Sequence, residues 1–272
     1  MELLQFARLH GIIIDTVPPM GVWKRYPTED HPHKRNGALK FMGDVAFLQN
    51  HAVMTEIVVW KADADAKINH EKIRRIAQQA DQDIKRKQIE AERTAAWMLK
   101  ESQIATHPYL AKKGFAEDQA NVFLRNGLKI MTIPMRVGHH LVGCQLIDEN
   151  GEKKFLAGQR TSNATFTFDN KGDHILVEGY ATALSARVAL KALKKRYTLH
   201  VCFSAGNLAK VAATLPKGFV ICDNDASRTG ENTAIKTGFP YWISDTVGED
   251  FNDFHQRVGL FKASQSLGKV IR

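Results

Sequence analysis

Apolar positions in the C-terminal half of the chain come in short, nearly unbroken runs. His174-Ile175-Leu176-Val177-Glu178-Gly179-Tyr180 and Gly218-Phe219-Val220-Ile221-Cys222-Asp223-Asn224-Asp225 are the clearest. Runs this brief, closed by acids and Gly, predict strands buried on both faces of a parallel sheet. Between them lie a helical run (Ala181 to Arg196), a third strand-like run (Leu199 to Phe203) and a short helix (Asn207 to Leu215). The order β-α-β-α-β predicts a parallel α/β core with its strand carboxyl ends on one rim.

The rest of the chain patterns differently. Residues 63–104 have Ile73, Ile76, Ala80 and Ile84 at helical spacing, with Lys72, Arg74, Arg75, Lys85, Arg86 and Lys87 on other faces, and predict a helical connector at 61–104. Before it, residues 1–60 predict a small β module. Pro27 to Gly37 is a loop, and Ala38–Phe41 and Val45–Leu48 form a hairpin around Met42-Gly43-Asp44. Residues 105–170 predict a mixed α/β module. It has helical turns around Lys112 and Glu117–Phe123, then a meander of Ile130–Met135, Leu141–Leu146 and Lys153–Leu156, turned at Gly138 and Asn150-Gly151. The parallel core takes 171–262, and 263–272 is a tail.

Two of the predicted parallel strands end in acid, at Glu178 and at Asp223-Asn224-Asp225. Carboxylates on one rim point into one crevice, where two of them about 4 Å apart repel by roughly 4 kcal/mol at an effective dielectric of 20. A divalent cation removes that repulsion, and oxygen ligands suit magnesium. Acids after strands also cap the following helix, so the constellation, rather than the Asp-x-Asp alone, carries the metal reading.

Charge adds a substrate class. The net charge is +9; residues 171–272 hold fourteen basic and nine acidic groups, and 61–100 ten and seven. A module with an acidic cluster that is still net positive suits a polyanion. No apolar run approaches membrane-spanning length and no signal peptide is evident, so a soluble intracellular protein is expected. Cys144, Cys202 and Cys222 sit inside apolar runs without C-x-x-C spacing, so core packing is expected of them, not disulfides or zinc.

Glu178-Gly179-Tyr180 followed by Asp223-Asn224-Asp225 resembles the Toprim domain shared by bacterial-type primases, type IA and II topoisomerases and some nucleases. Gly248-Glu249-Asp250-Phe251-Asn252-Asp253-Phe254 is similar to the acidic segment that follows in primases, and Ile133-Pro134-Met135-Arg136 and Lys153-Lys154-Phe155-Leu156 to their basic core. The likeness covers about 105–262 and is closest to phage- and plasmid-type primases. It implies a Toprim catalytic domain preceded by a basic core, a helical connector and an N-terminal module in the zinc-ribbon position. The sequence departs from the family in three places. No cysteine precedes Cys144, so zinc is not expected from His31, His33 and His51. Thr182 stands where many members have an acid, and Asn252 replaces another.

The resemblance implies a DNA-dependent primase making RNA primers by magnesium- or manganese-dependent nucleotidyl transfer. Glu178, Asp223 and Asp225 would be catalytic, and Asp250 would join them in seating metal. Lys154, Arg136 and Arg160 would hold the nucleotide; Arg25, Lys34 and Arg35 would touch DNA. Single-stranded DNA, ribonucleoside triphosphates and a separate replicative helicase are the implied partners, in the cytoplasm of a bacterial host and with no membrane. No G-x-x-x-x-G-K-[ST] motor motif is present in the sequence. A Toprim nuclease and a nucleic-acid-binding accessory protein with a residual metal site are the competing readings. Topoisomerase activity is disfavoured by chain length and by the lack of a recognisable nucleophilic tyrosine.

Overall fold

The computed structural model describes residues 1–51, 53–54, 56–63 and 69–271. The chain is mixed α/β, and its described strands form three sheets, one containing parallel pairs. It divides into two compact units, Met1–Arg86 and Lys87–Arg272. Among the described residues no helix is long and apolar enough to cross a membrane.

The first unit opens with a helix the sequence pattern did not announce, α1 (Leu3–Leu9). An antiparallel sheet follows in the order β1 (Trp23–Tyr26), β2 (Gly37–Phe41), β3 (Val45–Asn50), β4 (Val58–Lys61). The β2–β3 hairpin turns where predicted, with Gly43 at φ 90° and the Met42 amide donating to the Val45 carbonyl at 2.8 Å. Leu3, Ala7, Ile12, Tyr26, Leu39, Leu48 and Trp60 make the core. The predicted connector is α2 (His70–Glu101), which starts in this unit and ends in the second; residues 64–68 of that stretch lie outside the described residues. Gly21 meets α2 closely, since a Cβ there would stand 2.6 Å from that of Ala80.

The second unit holds two sheets on a shared core. β5 (Gln103–Ala105), α3 (Pro108–Lys112), β6 (Ala120–Arg125), β7 (Leu128–Val137), β8 (His140–Ile147) and β9 (Lys153–Phe155) give an antiparallel sheet in strand order. Residues 117–123 are therefore not helical as expected. Val122 and Phe123 are buried and pair with Met131 and Ile130 of β7, so tertiary pairing overrides local preference. The other sheet is built from β10 (Phe166–Asp169), β11 (Asp173–Val177), α4 (Tyr180–Ala192), β12 (Tyr197–Val201), α5 (Ala205–Ala212), β13 (Phe219–Ile221), α6 (Thr229–Thr237), β14 (Tyr241–Trp242) and α7 (Phe251–Val270). Its order is β10-β12-β11-β13-β14. β11 runs parallel to β12 and β13, and β13 to β14, whereas β10 is antiparallel to β12. The predicted β-α-β-α-β order is present, with an antiparallel edge added. Met131, Ile133 and Ile147 share one core with Ile175, Val177, Leu184 and Phe251, so the two sheets pack as one body.

Asn207 ties this core together. Its Nδ2 donates to the Ala164 and Cys202 carbonyls, both at 2.8 Å, and its Oδ1 accepts from the Asn163 amide at 2.7 Å. Truncation would leave three backbone groups without partners in a buried place. Asn207→Ala is expected to lower unfolding free energy by about 3 kcal/mol or more, since three orphaned groups cost about 1–3 kcal/mol each. Urea denaturation measures this, and a loss below about 0.5 kcal/mol, the usual size of a surface substitution, would contradict it.

Candidate functional site

The carboxyl ends of β11 and β13 are neighbours because Val177 pairs with Ile221. Glu178 follows the first strand, and Asp223 and Asp225 follow the second. A third segment is pinned beside them. Asn224 forms a bridge with Glu249, and its Nδ2 donates to the Ser244 carbonyl at 2.8 Å. Glu249 is buried, accepts a bond from the Ser244 hydroxyl and is clamped by Arg257 through Nε at 2.6 Å and Nη2 at 2.9 Å. Those bonds hold its carboxyl below its ordinary range, with the Arg257 contact the largest cause. Within the predicted acidic segment Glu249 therefore anchors the loop, and the next residue, Asp250, is presented to Asp223.

The electrostatics show the crowding. Burial pushes Asp223 up to about 7, and the charges of Asp250 and Glu178 add to the rise, with Lys153 opposing it. Glu178 is also raised, first by burial, while the Ala205 amide pulls it down and Asp225 pushes it up. Asp225 goes the other way. The Ser227 hydroxyl is the main cause, joined by amides of Ser227 at 2.8 Å, Gly230 at 3.3 Å and Thr229 at 3.4 Å. Asp225 thus caps α6, as Asp250 caps α7 through the Asp253 amide at 2.8 Å. Capping and clustering coexist here because a carboxylate has about four acceptor sites.

Asp223 Oδ1 is buried and has no hydrogen-bond partner. Among the described residues, however, no three His, Cys, Asp or Glu side chains group closely enough to hold a metal ion between them. The donor set fits a hard cation held by one or two carboxylates, with other oxygens completing it, which is the usual manner of magnesium. Glycine matters nearby: a Cβ on Gly230 would stand 2.6 Å from the Asp223 carbonyl oxygen and 3.4 Å from Glu178 Oε1. That close approach brings the start of α6 against both acids, and the sequence pattern did not single it out.

The basic residues divide. Lys153 is the lysine on the acids' side of the sheet, feeling their charge without an ion pair within 4 Å among the described residues: burial and then Lys113 lower its pKa, and Asp250 and Asp223 raise it. Its ammonium lies 5.6 Å from the centre of the Tyr109 ring. Lys154, the residue expected from sequence, is its neighbour on β9 and so faces the opposite side of the sheet, where it pairs with Glu152 at 3.1 Å. The register sets this, pairing Lys153 with fully buried Ile147 and Lys154 with Leu146. Period-two alternation could have separated the two lysines, but not told which faced the acids. Arg136 donates to the His139 carbonyl at 3.0 Å and Arg160 to that of Ser162 at 3.2 Å, and both are exposed. Neither partner belongs to the carboxylate group.

Arg25 lies on β1, and Lys34 and Arg35 follow in the loop; all three are exposed in the first unit. Thr182 is buried in α4. Asn252 is buried too, donating to the Lys113 carbonyl at 2.9 Å and to the Ser185 hydroxyl at 3.0 Å. Thr182 is held by packing, and Asn252 by hydrogen bonds that need an uncharged donor. Two exposed tryptophans went unremarked in the sequence, Trp23 beside Arg25 and Trp97 edge-on to Phe123 with ring centres 5.0 Å apart.

Neither models of known protein families nor curated proteins match this sequence.

The raised pKa of Asp223 has a measurable consequence. Its unfolded carboxyl titrates near 3.8 and its folded one near 7, so the folded state binds the extra proton between these values. Stability should fall as pH rises across that window, and the penalty should be complete above it. In chelator, Asp223→Asn is expected to be more stable than the unaltered protein at pH 8, by roughly 4 kcal/mol, with the gap closing toward pH 4. Magnesium should raise the melting temperature of the unaltered protein more than that of the variant. Equal melting curves across pH would show that Asp223 is not a strained acid.

Proposed function

We propose that the chain is a Toprim-type DNA primase that extends ribonucleotide primers on single-stranded DNA. The observation that carries this reading is that Glu178 and Asp223 close neighbouring parallel strands on one rim, with the Asn224–Glu249 bridge bringing Asp250 beside Asp223. The order of those acids along the chain supports it further. In this reading the β10–β14 sheet is the Toprim core, and the β5–β9 sheet is the basic core.

Asp223 and Asp250, with Glu178 and Asp225 beside them, would hold magnesium or manganese. Bound there, the ion would offset charge on the phosphate oxygens and lower the pKa of the attacking 3′-hydroxyl. Glu178, whose proton affinity is raised by burial, suits it to receive the hydroxyl proton. Lys153 supplies a cation for the triphosphate, and Tyr109 beneath it restricts where that cation can go. Lys113 adds a second positive charge close to Lys153, and its Nζ stands 3.3 Å from Asp253. In the first unit, Arg25, Lys34 and Arg35 would meet template phosphates. A separate helicase would supply the single strand. Lys153 favours polymerisation over hydrolysis of DNA, because only polymerisation needs an incoming triphosphate held next to the acids.

Primer synthesis on single-stranded DNA with labelled ribonucleotides and magnesium tests the reading. Asp223→Asn is expected to abolish incorporation with unchanged circular dichroism. Lys153→Ala should raise the nucleotide KM by roughly ten- to a hundredfold, the worth of one charge-assisted hydrogen bond. Lys154→Ala should have a much smaller effect, as its ammonium is exposed and paired with Glu152. Cutting of DNA without incorporation, even with a helicase added, would replace the primase with a nuclease.

A further inference from the structure

The opposite rim of the same sheet bears a cavity of about 700 Å³ at the amino-terminal ends of β11 and β13. Ile175, Leu190 and Phe219 give it a buried apolar floor, with Tyr241 at one side. Lys195, Arg196, Lys217 and Lys269 stand around it, all exposed. Lys217 is offset by Asp173 at 3.1 Å, but among the described residues Lys195, Arg196 and Lys269 have no ion-pair partner.

Two of these cations follow directly from how α4 ends. Lys194 takes φ 54°, its amide bonds the Lys191 carbonyl, and the Lys195 amide returns to the Leu190 carbonyl, both at 3.0 Å. This closing turn fixes where Lys195 and Arg196 leave the helix. Cations at helix ends also answer the negative end of the helix dipole, which is worth about half a charge each. The ends of α4 and α7 together therefore offset about one charge, and three cations are present. The excess is left facing a concavity whose floor is hydrocarbon and aromatic. Its size lies in the range of small-molecule sites, and its lining asks for an anionic head and an apolar, ring-bearing body.

We propose that this cavity binds a phosphate-bearing small molecule with an aromatic body, of the nucleoside diphosphate class, at a site separate from the carboxylates. The phosphates sit among Lys195, Arg196 and Lys269, and the ring system lies over Phe219 and Tyr241. No metal is needed, since the cations supply the charge. That distinguishes the cavity from the acidic rim, where an anion without a metal would be repelled.

Calorimetric titration of the full chain with ADP in chelator tests this. One ADP per chain is expected to bind. The double variant Lys195→Gln/Lys269→Gln should weaken it at least tenfold with unchanged circular dichroism, because both side chains are exposed. Asp223→Asn should leave it unchanged. Pyrophosphate and adenosine, each offering half of the recognised chemistry, should each bind at least tenfold more weakly than ADP. The proposal is overturned if ADP fails to bind, if the double variant binds it equally well, or if Asp223→Asn removes it. Displacement of ADP by a short single-stranded oligonucleotide would also overturn it, by assigning the cavity to a nucleic-acid backbone. A protein that makes no primers yet binds ADP here would lose the primase reading and keep this one.

Discussion

The burial of acids at the ends of β11 and β13 is the constraint on which the carboxyl rim of this sheet depends. Burial is the main cost of charging Asp223, and the charges of Asp250, Glu178 and Asp225 on the same rim add to it, with Lys153 opposing. Such groups do not stay together by attraction. They are held by backbone: the parallel pairing of Val177 with Ile221, the Asn224–Glu249 bridge and the capping bonds at the starts of α6 and α7. The cluster is thus imposed by the fold, and the fold bears its electrostatic strain.

The hydrogen bonding around the rim follows from that requirement. Glu249 gains Arg257 and Ser244 as partners and becomes a fixed support. Asn252 links the start of α7 to the Lys113 carbonyl after α3 and to Ser185 of α4. An aspartate at 252 could not donate those bonds when ionised, so the neutral residue there has a structural reason independent of any catalytic one. Ile147 of the common core pairs with Lys153, and so fixes which side of the sheet that lysine takes.

Much of this was legible because apolar runs bounded by acids leave few alternatives. The strands ending at Glu178 and Asp223, the helices between them and the β2–β3 hairpin all follow from local pattern. What was not legible depends on long-range pairing. β6 reads locally as a helical turn and becomes a strand because β7 offers it a partner. β10 and α1 carry too little periodicity to announce themselves. The choice between Lys153 and Lys154 rests on the register of a three-residue edge strand, which no residue within the strand encodes. Gly230 looks like any helix-start glycine until its approach to Asp223 and Glu178 is known.

The charge balance of the rim restricts what it can receive. Asp223 and Asp250 lie near Lys153, whose pKa is lowered by burial and by neighbouring Lys113. A free triphosphate would add several negative charges to this, and at about 4 Å each like-charge contact costs roughly 4 kcal/mol at an effective dielectric of 20. Lys153 and Lys113 together would offset only part of that charge. A cation placed beside Asp223 would offset charge there and give Asp223 Oδ1 a partner. An acid raised to about 7 and a buried oxygen without a hydrogen bond thus belong to one side chain, and a single positive charge placed beside it would relieve both.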